Sequence, residues 1–91
     1  MPARTPTVSA ASRAARKDWV DQNPIRAWRL SHTPKLSILE AAERIGVGMS
    51  MVQMYERGVH KPGPDRNDAL TELLGKDWSK RWDKWIATKP A

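Results

Sequence analysis

Residues 36–62 constrain the fold more than any other stretch, because their pattern describes two short helices joined by a tight turn. Ser37 can cap the first helix, and Glu40 can accept a hydrogen bond from the Ser37 N–H, which makes a capping box. Gly46 stands where the end of a helix favours a left-handed residue. The apolar positions between them are Leu39, Ala42 and Ile45. The pattern predicts a helix that follows Ser37 and ends at Gly46.

A second helix follows the turn, from about Met49 to Arg57. Val52 and Tyr55 are its inward-facing pair, and Gly58 ends it. Two short helices that cross steeply around a glycine-containing turn form a helix-turn-helix. In this motif the second helix stands out from the surface, where it can enter the major groove of duplex DNA.

This stretch resembles the helix-turn-helix of the Cro and phage-repressor family of regulators. The residues that match the family pattern are Leu36, Ser37, Ala42, Ile45, Gly46, Val47, Val52, Tyr55, Glu56, Gly58 and Pro62. The resemblance implies an all-α, five-helix, lambda-repressor-like DNA-binding domain over residues 23–88, with the motif at residues 37–57. It extends loosely from Ile25 to Gly75. It departs from the family at Ile38, where the family often has a glutamine.

The resemblance also implies which residues contact DNA. In the matching register, Met49, Ser50 and Gln53 face the major groove, and Gly48 lies at the start of the helix. Gln53 can bond an adenine, Met49 can contact a thymine methyl, and Ser50 can bond a base or a phosphate. No arginine lies between Met49 and Met54, so the commonest guanine contact is missing there. The expected DNA-contacting residues are Gly48, Met49, Ser50, Gln53, Met54, Arg57, Lys61, Lys35, Arg16 and Lys17.

Residues 1–20 precede this domain and combine small residues, prolines and scattered cations. Such a segment buries too little apolar surface to offset its ordering entropy, so we expect a flexible basic arm. The arm either follows the DNA backbone or is a passenger tail. Residues 10–22 can instead form a short helix, with Ala11, Ala15 and Trp19 on one face.

Asn23 and Pro24 mark the start of the next helix, the first as its cap and the second in its first turn. Ile25 and Trp28 form its inward pair. The positions expected to face outward are Arg26 and Arg29. After the motif, Pro64 is expected to begin one further helix and Asp77 to cap the last.

The last predicted helix, residues 78–87, carries an unusually apolar stripe for its length. The stripe consists of Trp78, Trp82, Trp85 and Ile86, at helical spacing. It can pack on the domain's own core, or it can form the interface of a homodimer. Of the three tryptophans, Trp78 is expected to anchor the helix. The predicted dimer interface is Trp82, Trp85 and Ile86.

Composition narrows the classes of function. A net charge of +6 and a pI near 10.2 favour a polyanionic partner such as DNA. There is no cysteine, and the two histidines, His32 and His60, lack metal-ligand spacing, so no metal or other cofactor is expected. The sequence shows neither a nucleophile with an adjacent base nor a phosphate-binding loop. It therefore offers no support for an enzyme. No signal peptide or membrane span is visible, so a cytoplasmic protein is the simplest reading.

Two hypotheses for the function remain open at this stage. The first is a sequence-specific duplex-DNA-binding regulator, a repressor that occupies its operator as a homodimer and has no small-molecule substrate. The second is a protein–protein adaptor, antitoxin-like or virion module that retains the fold. The second hypothesis rests on a strip of adaptable side chains, formed by Met49, Met51 and Met54.

Overall fold

The computed structural model describes residues 10–90, with side chains from Ser12 onward, and every regular element in that range is helical. The helices are α1 (Ala10–Asp21), α2 (Pro24–Leu30), α3 (Ile38–Ile45), α4 (Met49–Arg57), α5 (Asn67–Leu74) and α6 (Trp78–Ala87). A single turn of 3₁₀-helix, Pro64–Arg66, leads into α5. The all-α class is confirmed. The described range holds one helix more than expected, because residues 10–21 are helical.

The helix ends follow the predicted local chemistry. The Ser37 hydroxyl accepts a hydrogen bond from the Glu40 N–H at 3.1 Å, and Glu40 Oε1 accepts one from the Ser37 N–H at 3.0 Å. This is the predicted capping box. Gly46 and Gly58 both adopt left-handed conformations, with φ of 88° and 76°. Asn23 caps α2 by accepting from the N–H groups of the second and third residues after it.

The core lies where α2, α3, α4, α5 and α6 meet. Its buried apolar side chains include Ile25, Ala41, Ala42, Ile45, Val52, Tyr55, Leu70, Trp78 and Trp82. Of the apolar positions of α3, Ala42 and Ile45 are buried, whereas Leu39 is 52% exposed and Ala41 is buried instead. One expectation for these helices was wrong. Arg29, expected on the outside, is buried because it pairs with a buried carboxylate described below.

The tryptophans of α6 are core residues. Trp78, Trp82 and Trp85 are all at least 95% buried within the domain, at 3%, 2% and 5% exposure. The anchoring role predicted for Trp78 agrees with this burial. The prediction that Trp82 and Trp85 form a dimer surface was wrong, because the domain's own helices already cover both rings. Of the predicted interface only Ile86, at the edge of the stripe, is exposed.

Trp19 of α1 covers the Trp85 ring. The two indole rings stack with centroids 4.0 Å apart and an interplanar angle of 6°. Trp19 Nε1 donates to the Trp85 carbonyl oxygen at 2.8 Å, and Trp85 Nε1 donates to the Trp19 carbonyl oxygen. Both rings lie against Gly58, where a Cβ atom would come within 2.9 Å of the Trp85 ring and 3.0 Å of the Trp19 ring. We call Trp19, Trp85 and Gly58 the indole clasp.

The clasp explains why residues 10–21 are an anchored helix. Only the last part of α1 is packed, since Trp19 is buried and Val20 half-buried, whereas residues 12–18 are exposed. Ala15, expected on the same face as Trp19, is exposed, and the side chain of Ala11 lies outside the described residues. Residues 1–9 of the predicted arm also lie outside the described range.

Asp77 precedes α6 but its side chain makes no capping hydrogen bond. It pairs instead with Arg81 at 3.3 Å.

Candidate nucleic-acid interface

The turn between α3 and α4 is built by backbone geometry at two glycines. Gly46 adopts a left-handed conformation, and its N–H donates to the Ala42 carbonyl at 2.8 Å, as does the Val47 N–H at 3.0 Å. Gly48 then starts α4 in an extended conformation with no side-chain cap. A Cβ atom at Gly48 would have no heavy atom within 4 Å. The first N–H groups of α4 are therefore not capped by a side chain.

The side chains of α4 separate cleanly into two faces. At about 100° per residue, the exposed side chains fall on an arc of roughly 140°. They are Met49, Ser50, Gln53, Met54 and Arg57. The opposite arc carries Val52, Tyr55 and Glu56, which are buried, and Met51, which is half-buried against the core. The structure thus places five residues predicted to contact DNA on one continuous face.

The inward face of α4 is held by polar contacts as well as by packing. The Asn23 side chain donates from Nδ2 to the Tyr55 carbonyl at 2.9 Å, so one residue caps α2 and ties it to α4. Glu56 is buried and accepts from Arg29 Nε at 2.7 Å and from Arg29 Nη2 at 3.0 Å. The hydrogen bond to Glu56 raises the pKa of Arg29. A bidentate pair of this kind fixes orientation as well as distance.

Arg26 and Arg29 link the Glu56 carboxylate to other parts of the fold. Arg26 bridges Glu56 at 3.3 Å and Asp21, at the end of α1, at 3.0 Å. Arg29 Nη1 also donates to the Leu36 carbonyl at 3.0 Å, in the loop before α3. The buried carboxylate of α4 is thereby connected to three other parts of the fold. Rotation of α4 about its own axis would break these contacts, so its exposed arc is set in a fixed direction.

A helix-turn-helix family model matches residues 25–80, which is more than half of the chain. The chain belongs to the Cro/C1-type helix-turn-helix family of DNA-binding regulators. No curated protein and no solved structure shows significant similarity to it. The match leaves out all of α1 and most of α6, the two helices that the indole clasp joins.

Helix α4 is the second helix of the helix-turn-helix, the position of the recognition helix in this motif. Beside it runs a groove of about 350 Å³. Its lining is Val20, Arg26, Arg29, Ile38, Gln53, Glu56 and Arg57. The groove shows that Gln53 and Arg57 border the end of α1 and the start of α3. Ile38, which replaces the frequent family glutamine, is therefore an apolar neighbour of Gln53.

The predicted phosphate contacts are more dispersed. Lys35 is exposed two residues before the cap of α3, and Arg16 and Lys17 are exposed on α1. Lys61 lies in the loop after α4 and pairs with Asp83 of α6 at 2.8 Å. Both partners are exposed, at 41% and 66% of their side-chain surfaces, so this pair contributes little and can be exchanged for another anion. These cations belong to three parts of the fold: α1, the loop before α3 and the loop after α4.

Sequence reasoning missed two residues that position the recognition helix. Arg29 and Asn23 were interpreted as a solvated charge and a simple cap, but both hold α4 through long-range contacts. A signal was present in Glu56, an acidic residue between the inward Tyr55 and the terminating Gly58. On the helical wheel it falls within the buried arc, where a carboxylate requires a cationic partner.

Across residues 10–90 no helix has the length and apolar character needed to cross a bilayer. The same residues contain no cluster of three or more histidine, aspartate or glutamate side chains that could hold a metal ion.

Proposed function

We propose that the protein is a sequence-specific transcriptional repressor that acts by occupying an operator in duplex DNA. The observation that carries this proposal is the exposed arc of α4. It combines a hydrogen-bonding centre, Ser50 and Gln53, with a cation, Arg57, at the end nearest the next loop. The arc stands on a helix whose inward face is fixed by Glu56 and Tyr55, so its side chains are presented without reorganisation.

In this mechanism the protein performs no chemistry and needs no cofactor. Gln53 and Ser50 bond base edges in the major groove. The uncapped N–H groups at the start of α4 and the exposed cations bind phosphates and set the register on the duplex. The cations that we assign this role are Arg57, Lys61, Lys35, Arg16 and Lys17. A bound copy blocks access of the polymerase to the promoter.

We propose further that two copies bind neighbouring half-sites about 34 Å, one helical turn, apart. A single short recognition helix reads few base pairs, and two-fold repetition doubles the number that are read. Because Trp82 and Trp85 are core residues, their rings contribute no self-complementary surface to this arrangement.

The half-buried position of Met51 favours DNA binding over the adaptor hypothesis. Met51 packs partly against the core and lies about 160° around α4 from Met49, so the three methionines do not form one exposed strip. No other feature of the described residues favours a peptide partner over DNA.

Selection of bound sites from random duplexes tests the proposal. We expect enrichment of one motif, a footprint over it, and reduced transcription from a promoter that contains it. Affinity for the enriched site should fall steeply with salt, because phosphate contacts release counterions. Enrichment of no motif, with binding that is equal on all duplexes, would contradict sequence-specific repression. Activation of the test promoter would contradict repression alone.

A further inference from the structure

The exposed arc of α4 has an unusual chemical layout. Its centre is polar, with Gln53, Arg57 and Ser50 at consecutive angular positions on the helical wheel. Its two edges are apolar, with Met49 on one side and Met54 on the other. Met49 is 50% exposed and Met54 is 40% exposed. The face therefore offers two apolar contacts that flank a hydrogen-bonding centre.

Base edges in the major groove have only one apolar group, the C5-methyl of thymine. A methionine side chain is unbranched and polarisable, so it can adapt to the position of such a methyl. Adenine is the base that a glutamine side chain bonds bidentately, through N6 and N7. Since adenine pairs with thymine, a glutamine and neighbouring methionines can be satisfied together by A·T pairs.

The same arc lacks the usual means of reading guanine near its start. Residues 49–54 contain no arginine or lysine. The nearest cation on the arc is Arg57, about 12 Å along the axis from Met49. In family members the first turns of the recognition helix meet the bases. Guanine contacts of the common bidentate kind are thus absent from the turns that carry Met49 and Gln53.

We infer that the first two turns of α4 read A·T pairs, with the Met49 and Met54 side chains against thymine methyl groups and Gln53 on an adenine. This inference rests on the proposed function and specifies the class of operator sequence. It assigns Met49 and Met54, the most exposed apolar side chains of α4, as specificity-determining residues.

Replacement of thymidine by deoxyuridine tests the inference directly, because it removes the methyl group and keeps base pairing. The full chain is titrated against a selected duplex, and each thymidine in the half-site is replaced singly. We expect replacement at one or more positions to weaken binding three- to five-fold, the effect of losing one buried methyl. Met49→Ala should weaken binding to the thymidine duplex and abolish the difference at one of those positions. Met54→Ala should do so at another.

Two further variants separate a methyl contact from a general change in the protein. Met49→Leu keeps an apolar side chain and should retain the difference between thymidine and deoxyuridine. Val59→Ala removes apolar surface from a residue that is 68% exposed just beyond α4, and should leave every ratio unchanged. Circular dichroism on each variant verifies that the helices are intact.

The outcomes distinguish this inference from the function on which it rests. Equal affinity for thymidine and deoxyuridine duplexes at every position, with site-selective binding intact, overturns the inference and leaves the repressor proposal standing. Selection of G·C pairs at the positions that face Met49 and Gln53 does the same. Failure to select any motif overturns both.

Discussion

At the scale of single residues, the structure's main surprise is a charge network inside a small domain. Glu56 and Arg29 are both buried, and their bidentate contact sits between α2, α4 and the loop before α3. A buried ion pair adds little stability relative to apolar residues of the same shape, but breaking one partner leaves an uncompensated charge. Its main effect is thus on the orientation of α4.

We predict that Arg29→Met lowers the free energy of unfolding by about 3 kcal/mol, because Glu56 then keeps only the longer contact to Arg26. The double variant Arg29→Met with Glu56→Met should recover much of this loss. Urea denaturation of the wild type and the two variants measures it. A double variant that is less stable than Arg29→Met alone would contradict a role limited to orientation.

In the proposed mechanism, Gln53 is the residue on which direct readout of the bases depends most. Gln53→Ala should cost about 1–3 kcal/mol on the selected site and relax the preference at one base pair, while affinity for random DNA stays the same. Gln22→Ala is the matched control, since Gln22 is an exposed glutamine between α1 and α2. Equal losses on selected and random duplexes would remove Gln53 from base readout.

At the scale of elements, the ends of each helix of the motif are stabilised by local contacts of their own. For α3, the hydrogen bonds that Glu40 receives from the Ser37 backbone and hydroxyl hold its pKa below the ordinary value of 4.5. A carboxylate with a lowered pKa in the folded state stabilises the fold above its unfolded pKa. This contribution disappears as the pH falls through the lower, folded pKa.

The capping box should therefore contribute to the loss of unfolding free energy at acidic pH. Glu40→Gln can still accept the cap hydrogen bond but does not titrate, so its unfolding free energy should fall less between pH 5 and pH 3 than that of the wild type. Glu43→Gln, on the same helix but outside the box, is the control. Ser37→Ala should cost about 1 kcal/mol at neutral pH. A wild type and Glu40→Gln variant with parallel pH profiles would contradict this assignment.

Helix α1 is an element that the family match does not include, and its residues 12–18 are exposed. The double variant Arg16→Ala with Lys17→Ala removes two exposed cations of α1 and keeps Trp19 and the clasp. If both cations meet phosphates, the slope of log affinity against log salt should become shallower by roughly 1.8. Thermal stability should be nearly unchanged.

The double variant Lys76→Ala with Lys80→Ala removes two exposed cations near the start of α6 and serves as the control. Its salt slope should match that of the wild type. An Arg16→Ala and Lys17→Ala double variant with an unaltered slope would show that these two cations take no part in DNA binding.

At the scale of the whole molecule, the indole clasp joins the two ends of the described chain. Trp19 and Trp85 are 66 residues apart, yet each indole N–H donates to the other residue's carbonyl. The pair packs on Gly58, the residue that ends α4, so closure of the chain also supports the recognition helix. A larger side chain at Gly58 would meet both rings in a backbone conformation that already favours glycine.

We predict that Trp19→Ala and Trp85→Ala each lower the free energy of unfolding by about 3–5 kcal/mol. Because the rings contact each other, the double variant should cost at least 1 kcal/mol less than the sum of the two. Trp28→Ala with Trp85→Ala is the control pair, since the Trp28 ring meets His32 instead, with centroids 5.4 Å apart. Additive losses for Trp19 and Trp85 would contradict the clasp.

The helix-turn-helix itself could be predicted from the sequence because its signals are local. Ser37 with Glu40, and the glycines at 46 and 58, act on the backbone within a few residues of themselves. Their effect does not depend on the rest of the fold, so the bounds of α3 and α4 follow from neighbouring residues. The exposed arc of α4 also follows, because the spacing of Val52 and Tyr55 defines which side faces inward.

Only the tertiary structure decided what covers each apolar or charged face. The tryptophan stripe of α6 was evident, but its covering partner is Trp19, far away in sequence, and spacing along one helix carries no information about that contact. Arg29 was assigned to the surface for the same reason, since its partner Glu56 lies on another helix. Periodicity determines which side of a helix is apolar, whereas burial depends on which element packs against it.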